Sequence, residues 1–211
     1  MSPSENPARA DHRQIVRLVE RRAKVLDLGC GDGDLLALLA REREATGFGV
    51  EISAAAVRTC LERGLGAVQG DVAETVAEYP DGSFDTVILS HTVQELADPA
   101  RVLDDMLRVG RDAIVSFPNF GHVAIRLSYV LRGRMPKSRV LPFEWYNTPN
   151  VHLMTVLDFE QFCAGRGIGI LDRVYLGGPF GRVPAALANL LAESAVFRLR
   201  RHRRAGGGGY S

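Results

Sequence analysis

The chain has 211 residues, 46% of them hydrophobic and 24% charged, with a formal net charge of +1. That composition fits a globular protein with one full core and excludes wholesale disorder, a collagen repeat and a long coiled coil. No stretch reaches the ~18 consecutive apolar residues of a membrane span, and no apolar core follows the first charges, so the expected location is the cytoplasm.

Residues 1–8 carry two prolines and little apolar matter. From 9 to 23, Ile15, Leu18, Val19 and Arg22 keep helical spacing and predict a leading helix. An alternation then begins. Residues 24–28 read as a strand, 35–41 as a helix and 47–52 as a strand. Ser53 is a plausible N-cap for a helix through Arg63, and 67–69 read as a short strand. Residues 84–90 (FDTVILS) are almost wholly apolar, as in a strand buried on both faces. Residues 99–109 place Val102, Leu103, Met106 and Leu107 on one helical face, and 112–117 form another apolar strand. Between Pro118 and Met154 the rhythm stops. That segment holds Phe120, Tyr129, Phe143, Trp145 and Tyr146, with Arg126, Arg132, Arg134 and Arg139 close by. A long aromatic connection reads as a lid, a docking face or a small secondary core. Thr155 and Asp158 have capping-box spacing for a helix to about Gly165, and 168–176 read as a last strand. Strands alternating with helices predict an α/β fold with a doubly wound, mostly parallel sheet and an aromatic-rich insertion after the fifth strand.

Residues 182–204 hold six arginines against one acid, Glu193, so the remainder of the chain is mildly acidic. The expected organisation is a domain over 9–180 followed by a basic C-terminal helix and flexible tail over 181–211. Nucleic-acid binding is disfavoured, because no aromatics interleave the arginines after Phe197. Cys30, Cys60 and Cys163 are too few for a disulfide scaffold and match no zinc spacing, so no metal is expected.

The strongest chemical signal is VLDLGCGDGDLL, where an apolar strand runs into Gly29, Gly31 and Gly33 and a helix follows. Small residues at such a turn let backbone approach a ligand, and a helix start presents free N–H groups. The spacing is not G-x-G-x-x-G, and no Gly-Lys-Ser/Thr ends the loop. Asp27, Asp32 and Asp34 would repel a pyrophosphate and suit a cationic ligand. Glu51 ends the second strand 20 residues after Gly31, placed to accept from ribose hydroxyls. His91 follows the fourth strand and is a candidate proton acceptor, with Asn119, His122 and His152 as further crevice candidates. His91 and Glu95 share an i, i+4 spacing but lack a third metal ligand.

The pattern D-x-G-x-G-x-G resembles motif I of class I S-adenosylmethionine-dependent methyltransferases. The chain is further similar to the methionine biosynthesis protein MetW family, over residues 9–174. GVEIS, LRVGRDAIVSFPNFGHV, LRGRMP and LPFEWYNTPNVHLMTVLDF carry that resemblance. It implies S-adenosylmethionine or S-adenosylhomocysteine as cofactor, bound by Asp27, Gly29, Cys30, Gly31, Gly33, Glu51, Ile52, Asp71, Val72 and Ser90. In it, Asp71 accepts from the adenine amino group, Val72 donates its backbone N–H, and Cys30 serves packing. It also implies support or regulation of a homoserine O-acyltransferase. The alternative is methyl transfer to a small-molecule acceptor, since HTVQEL after the fourth strand reads as a generic methyltransferase stretch.

Overall fold

The computed structural model describes residues 7–134, 137, 144–177 and 181–201. The chain order is α1 (Pro7–Leu18), β1 (Lys24–Leu28), α2 (Asp34–Arg43), β2 (Thr46–Glu51), α3 (Ala54–Glu62), β3 (Gly66–Gln69) and α4 (Val72–Glu78). Then come β4 (Phe84–Ser90), α5 (Pro99–Val109), β5 (Gly110–Pro118), α6 (Val123–Arg132), α7 (Val156–Gly165), β6 (Ile168–Leu176), α8 (Ala188–Leu191) and β7 (Ser194–Arg201).

The seven strands form one sheet in the order β3-β2-β1-β4-β5-β7-β6. β1 to β5 pair in parallel, and β7 runs antiparallel between β5 and β6. The chain steps outward from β1 through β2 to β3, then returns to β4 on the other side of β1. That reversal leaves a crevice at the carboxyl ends of β1 and β4, where open α/β sheets bind ligands.

Period-two alternation sorts the strand residues onto two cores. Val25, Ile88, Ile114 and Val196 face α1 and α2 through Ile15, Val19, Leu35 and Leu39. Leu26, Leu89, Val115 and Phe197 face the other layer with Val76, Met106 and Phe159. Phe117, Phe159 and Phe197 pack ring on ring at centroid distances of 4.8 to 5.8 Å, tying β5, α7 and β7 together. The Thr155–Asp158 capping box is present, and Ser53 caps α3 as expected.

Residues 194–201 are a strand, not the expected basic helix. SAVFRL places Ala195, Phe197 and Leu199 on one core and Val196 on the other, so both faces are filled. Arg198, Arg200 and Arg201 are neutralised by acids from distant segments. Asp112, 1% exposed, binds Arg198 Nε and Nη2 at 2.9 and 2.5 Å and Arg200 Nε at 2.6 Å. Arg201 reaches Asp104 at 3.2 Å, and Arg182 donates to Gln14 at 2.9 Å. The domain therefore runs through residue 201 rather than ending near 180. Arg203, Arg204 and the glycine-rich end lie outside the described residues, as do Arg139 and Phe143 of the insertion.

Burial alone would raise the Asp112 pKa, but hydrogen bonds from Arg200 and Arg198 outweigh it and hold the carboxyl below its ordinary value. This stabilisation is present above the usual carboxylate range and is lost as pH falls through the depressed value. Asp112→Ala should cost about 2–4 kcal/mol, less than a fully buried pair because the arginines reach solvent. Urea unfolding at pH 7 checks this, and a loss below about 0.5 kcal/mol, the range of an ordinary surface change, contradicts it.

Candidate functional site

The glycine loop leaves β1 with three left-handed residues, and each glycine meets a different constraint. At Gly29 (φ +77°) a Cβ would lie 2.6 Å from Thr92 Oγ1, so this glycine lets the turn after β4 approach. At Gly33 (φ +80°) it would lie 2.6 Å from Leu65 and 3.0 Å from Cys60 Sγ, so the need is packing against α3. At Gly31 (φ +52°) nothing lies within 4 Å. Of the three, Gly31 alone borders open space where a ligand can back onto main chain.

The acids differ as much. Asp27 is 2% exposed, and its Oδ1 is buried with no hydrogen-bond partner. Burial, then the nearby Glu51 charge, pushes its pKa up from 3.8 to about 7. Glu51 accepts from Gly31 N–H at 3.0 Å and from Ser53 N–H at 2.9 Å, which ties the loop to the end of β2. Both its oxygens keep further lone pairs. Asp71 caps α4, Oδ1 accepting from Ala73 N–H and Glu74 N–H at 2.8 and 3.1 Å, while Oδ2 has no partner among the described residues. Val72 is buried beneath it, and Ile52, 69% exposed, presents apolar surface beside Glu51. Asp34 is paired with Arg63 at 2.9 Å, so it adds little negative charge to the crevice.

The thiols are structural. Cys30 and Cys60 both donate to the Gly31 carbonyl, at 3.6 and 3.2 Å. Burial pushes both thiols above their ordinary pKa, which leaves no thiolate for nucleophilic chemistry. Ser90 Oγ is hydrogen-bonded to Ser116 Oγ at 3.1 Å.

Two of the crevice candidates are local structural groups. Asn119, 1% exposed, donates to the carbonyls of Asn189 and Ala192 at 3.2 and 2.8 Å and accepts from Gly121 N–H at 3.0 Å. It is saturated. His122 caps α6 by accepting from Ala124 N–H at 3.2 Å. His91 is different. It adopts φ +54° at the end of β4, and its Nε2 meets Asp11 Oδ2 at 2.6 Å. Asp11, 0% exposed, also accepts from Ser194 Oγ at 2.8 Å. Sequence reasoning missed Asp11. The available signal was a carboxylate on the apolar stripe of α1, one turn before Ile15 and two before Val19.

Comparison with known proteins decides the family. The family model described as methionine biosynthesis protein MetW matches residues 9–199. The chain belongs to that family. The bifunctional methionine biosynthesis protein MetXA/MetW of Rhodopirellula baltica is 33% identical over 213 residues, covering 96% of this chain and 34% of that protein. The chain thus spans about a third of that relative's length. The demethylmenaquinone methyltransferase of Thermus thermophilus is 34% identical over 143 residues, 62% of this chain and 63% of that one. Among solved structures, an S-adenosylmethionine-dependent methyltransferase from Mesorhizobium loti aligns with TM-score 0.66 at 18% identity, over 91% of this chain and 98% of that one. Another from Archaeoglobus fulgidus aligns with TM-score 0.65 at 15% identity, over 91% and 92%. These structures show the class I methyltransferase fold for this family member. The match extends past residue 174 because β7 completes the sheet.

Asp27 makes the stability of the ligand-free chain depend on pH. It keeps its proton to about pH 7 when folded, against 3.8 ordinarily. Between those values the folded state holds the extra proton, so stability falls as pH rises. Asp27→Asn removes this dependence. At pH 8 the variant should exceed the wild type by about 2–4 kcal/mol, with the gap closing near pH 4. Urea unfolding across that range checks it, and parallel pH profiles contradict it.

Proposed function

We propose that this chain binds S-adenosylmethionine or S-adenosylhomocysteine in the crevice between β1 and β4 and supports a homoserine O-acyltransferase by docking against it. The observation that carries the ligand reading is the buried, unpartnered Asp27 Oδ1 beside open space at Gly31. A desolvated carboxylate oxygen calls for a cationic N–H donor, and the amino group of the S-adenosyl ligands is one. Asp27 would hold that ammonium. Glu51 would accept from the ribose hydroxyls with lone pairs its loop contacts leave unused. Asp71 Oδ2 and the Val72 N–H would meet adenine, with Ile52 against the ring. When bound, the sulfonium supplies an activated methyl group.

The docking reading rests on the insertion. Trp145 and Tyr146 are 75% and 69% exposed and meet each other edge to face at 5.7 Å. α6 adds Leu127, Val130 and Leu131, all exposed. Exposed aromatics beside aliphatics make good interface anchors. The Rhodopirellula relative, whose name joins MetXA to MetW in one protein, supports an acyltransferase as the partner. The proposed setting is cytoplasmic; among the described residues no helix is long and apolar enough to cross a membrane.

The second reading is methyl transfer to a small molecule. The Asp11–His91 contact favours it, because a carboxylate-held imidazole is an effective proton acceptor. The pairing of Arg182, Arg198, Arg200 and Arg201 within the fold argues further against a nucleic-acid surface.

Calorimetric titration with both S-adenosyl compounds should give one site per chain, with preference for the demethylated product if the chain acts as a sensor. Heat from neither compound contradicts the reading. In co-purification with the acyltransferase, a Trp145→Ala, Tyr146→Ala double variant should lose about tenfold or more in affinity while keeping S-adenosylhomocysteine binding. Undiminished capture contradicts the docking face.

A further inference from the structure

Four buried side-chain atoms lack a hydrogen-bond partner among the described residues: Asp27 Oδ1, His12 Nδ1, Gln94 Oε1 and His152 Nε2. Asp27 belongs to the cofactor crevice. The other three belong to segments that His91 and Gln94 link together. Gln94 Nε2 donates to the His91 carbonyl at 2.6 Å. The backbone N–H groups of Val151 and His152 donate to the Gln94 carbonyl at 2.9 and 3.0 Å. His12 adjoins Asp11 in α1 and lies within electrostatic reach of His91.

Gln94 is the most informative of the three. It is 3% exposed. Only its NH₂ end can face the His91 carbonyl, so the orphan atom is the oxygen, which accepts and cannot donate. Buried acceptors of this kind are rare in folded proteins and call for a donor. The surroundings are acidic. Asp11 pairs with His91, and Glu95, next to Gln94 in the chain, lies within electrostatic reach of both His91 and Glu51. An anion would be repelled there. A small amine arrives as a cation rich in N–H donors and suits both the orphan oxygen and the field.

His91 is arranged to receive a proton. The Asp11 carboxylate accepts from Nε2–H, which leaves the lone pair on Nδ1. The Ser194 hydroxyl fixes the other oxygen of Asp11. A left-handed backbone at a non-glycine residue is held by His91 N–H donating to the Ser116 carbonyl at 2.9 Å. Such strain gathers where a side chain must be aimed.

We infer that Gln94, His152, His12 and the Asp11–His91 pair form a second subsite that receives a small primary or secondary amine beside the cofactor crevice. His91 takes its proton, and Asp11 is the positioning residue. The inference rests on the methyl-transfer reading and names its substrate class. In the step assigned here, an N–H bond of the ammonium breaks. Its electron pair stays on nitrogen as the nucleophile, and an Nδ1–H bond forms on His91. The resulting imidazolium is paired with the Asp11 carboxylate.

The test uses the full chain, labelled with ¹⁵N at histidine, with propylamine, propanol and propionate as probes of one size. Propylamine should shift the ring signals of His91, His12 and His152 in a saturable way, whereas propionate should not. Gln94→Met should weaken propylamine at least tenfold and change S-adenosylhomocysteine affinity less than twofold. Asp11→Asn should abolish the Nε2–H tautomer preference of His91, read from its ¹⁵N ring shifts. A merely structural Asp11 would leave that preference unchanged. Ring signals that ignore propylamine while S-adenosylhomocysteine binds normally overturn the subsite and spare the cofactor reading. Equal binding of propanol, or no effect of Gln94→Met, overturns the amine assignment. Amine binding without S-adenosylhomocysteine binding refutes the cofactor reading and keeps the subsite. Should Asp11→Asn fail to fold, Gln94→Met and the three probes still decide.

Discussion

A carboxylate held out of water with one oxygen unmatched is the constraint around which the crevice is arranged. Asp27 sits near the end of β1, between β2 and β4, where neighbouring strands remove solvent from both sides. Its position raises the cost of its own ionisation, and Glu51 at the next strand tip raises it further. Acids shifted in this way cluster at functional sites. The rest of the loop fits that arrangement. Glu51 stitches Gly31 to the end of β2, two cysteines pack beneath, and Gly31 leaves the approach clear.

Most of the α/β alternation is legible in the sequence. β1, β4, α5, α7 and β6 fall where local sequence signals put them, because each carries its own apolar face or cap. The antiparallel strand β7 is not. Arg198 and Arg200 read as a solvated basic run until Asp112, far away in the chain, neutralises them in the folded state. α4 and α6 are equally hard to read. α4 has seven residues, and α6 carries its apolar side chains largely outward, so neither shows the usual stripe.

The site divides along the same line. Motif spacing singles out Asp27, Gly31 and Glu51, because a glycine loop and strand-tip acids are local patterns, and the fold brings the three together. It assigns one role to three glycines, where the structure gives contact with Thr92 at Gly29, open space at Gly31 and packing on α3 at Gly33. It treats Asn119 and His122 as crevice groups, although both saturate nearby backbone. Asp11 joins His91 across 80 residues of chain, a pairing no local pattern encodes. Two ends of the molecule thus differ in chemistry. Strand tips gather acids at the crevice, while the insertion leaves Trp145 and Tyr146 exposed.

The most direct measurement compares S-adenosylhomocysteine with its analogue lacking the amino group, in the wild type and in Asp27→Asn. If Asp27 is the receptor for that amine, the wild type loses about 10- to 100-fold in affinity for the analogue, the worth of one charged hydrogen bond. The variant then loses several-fold less between the two compounds than the wild type does, since the amide oxygen still accepts an N–H bond but carries no charge. The same ratio in both proteins would place the ammonium elsewhere and contradict the account.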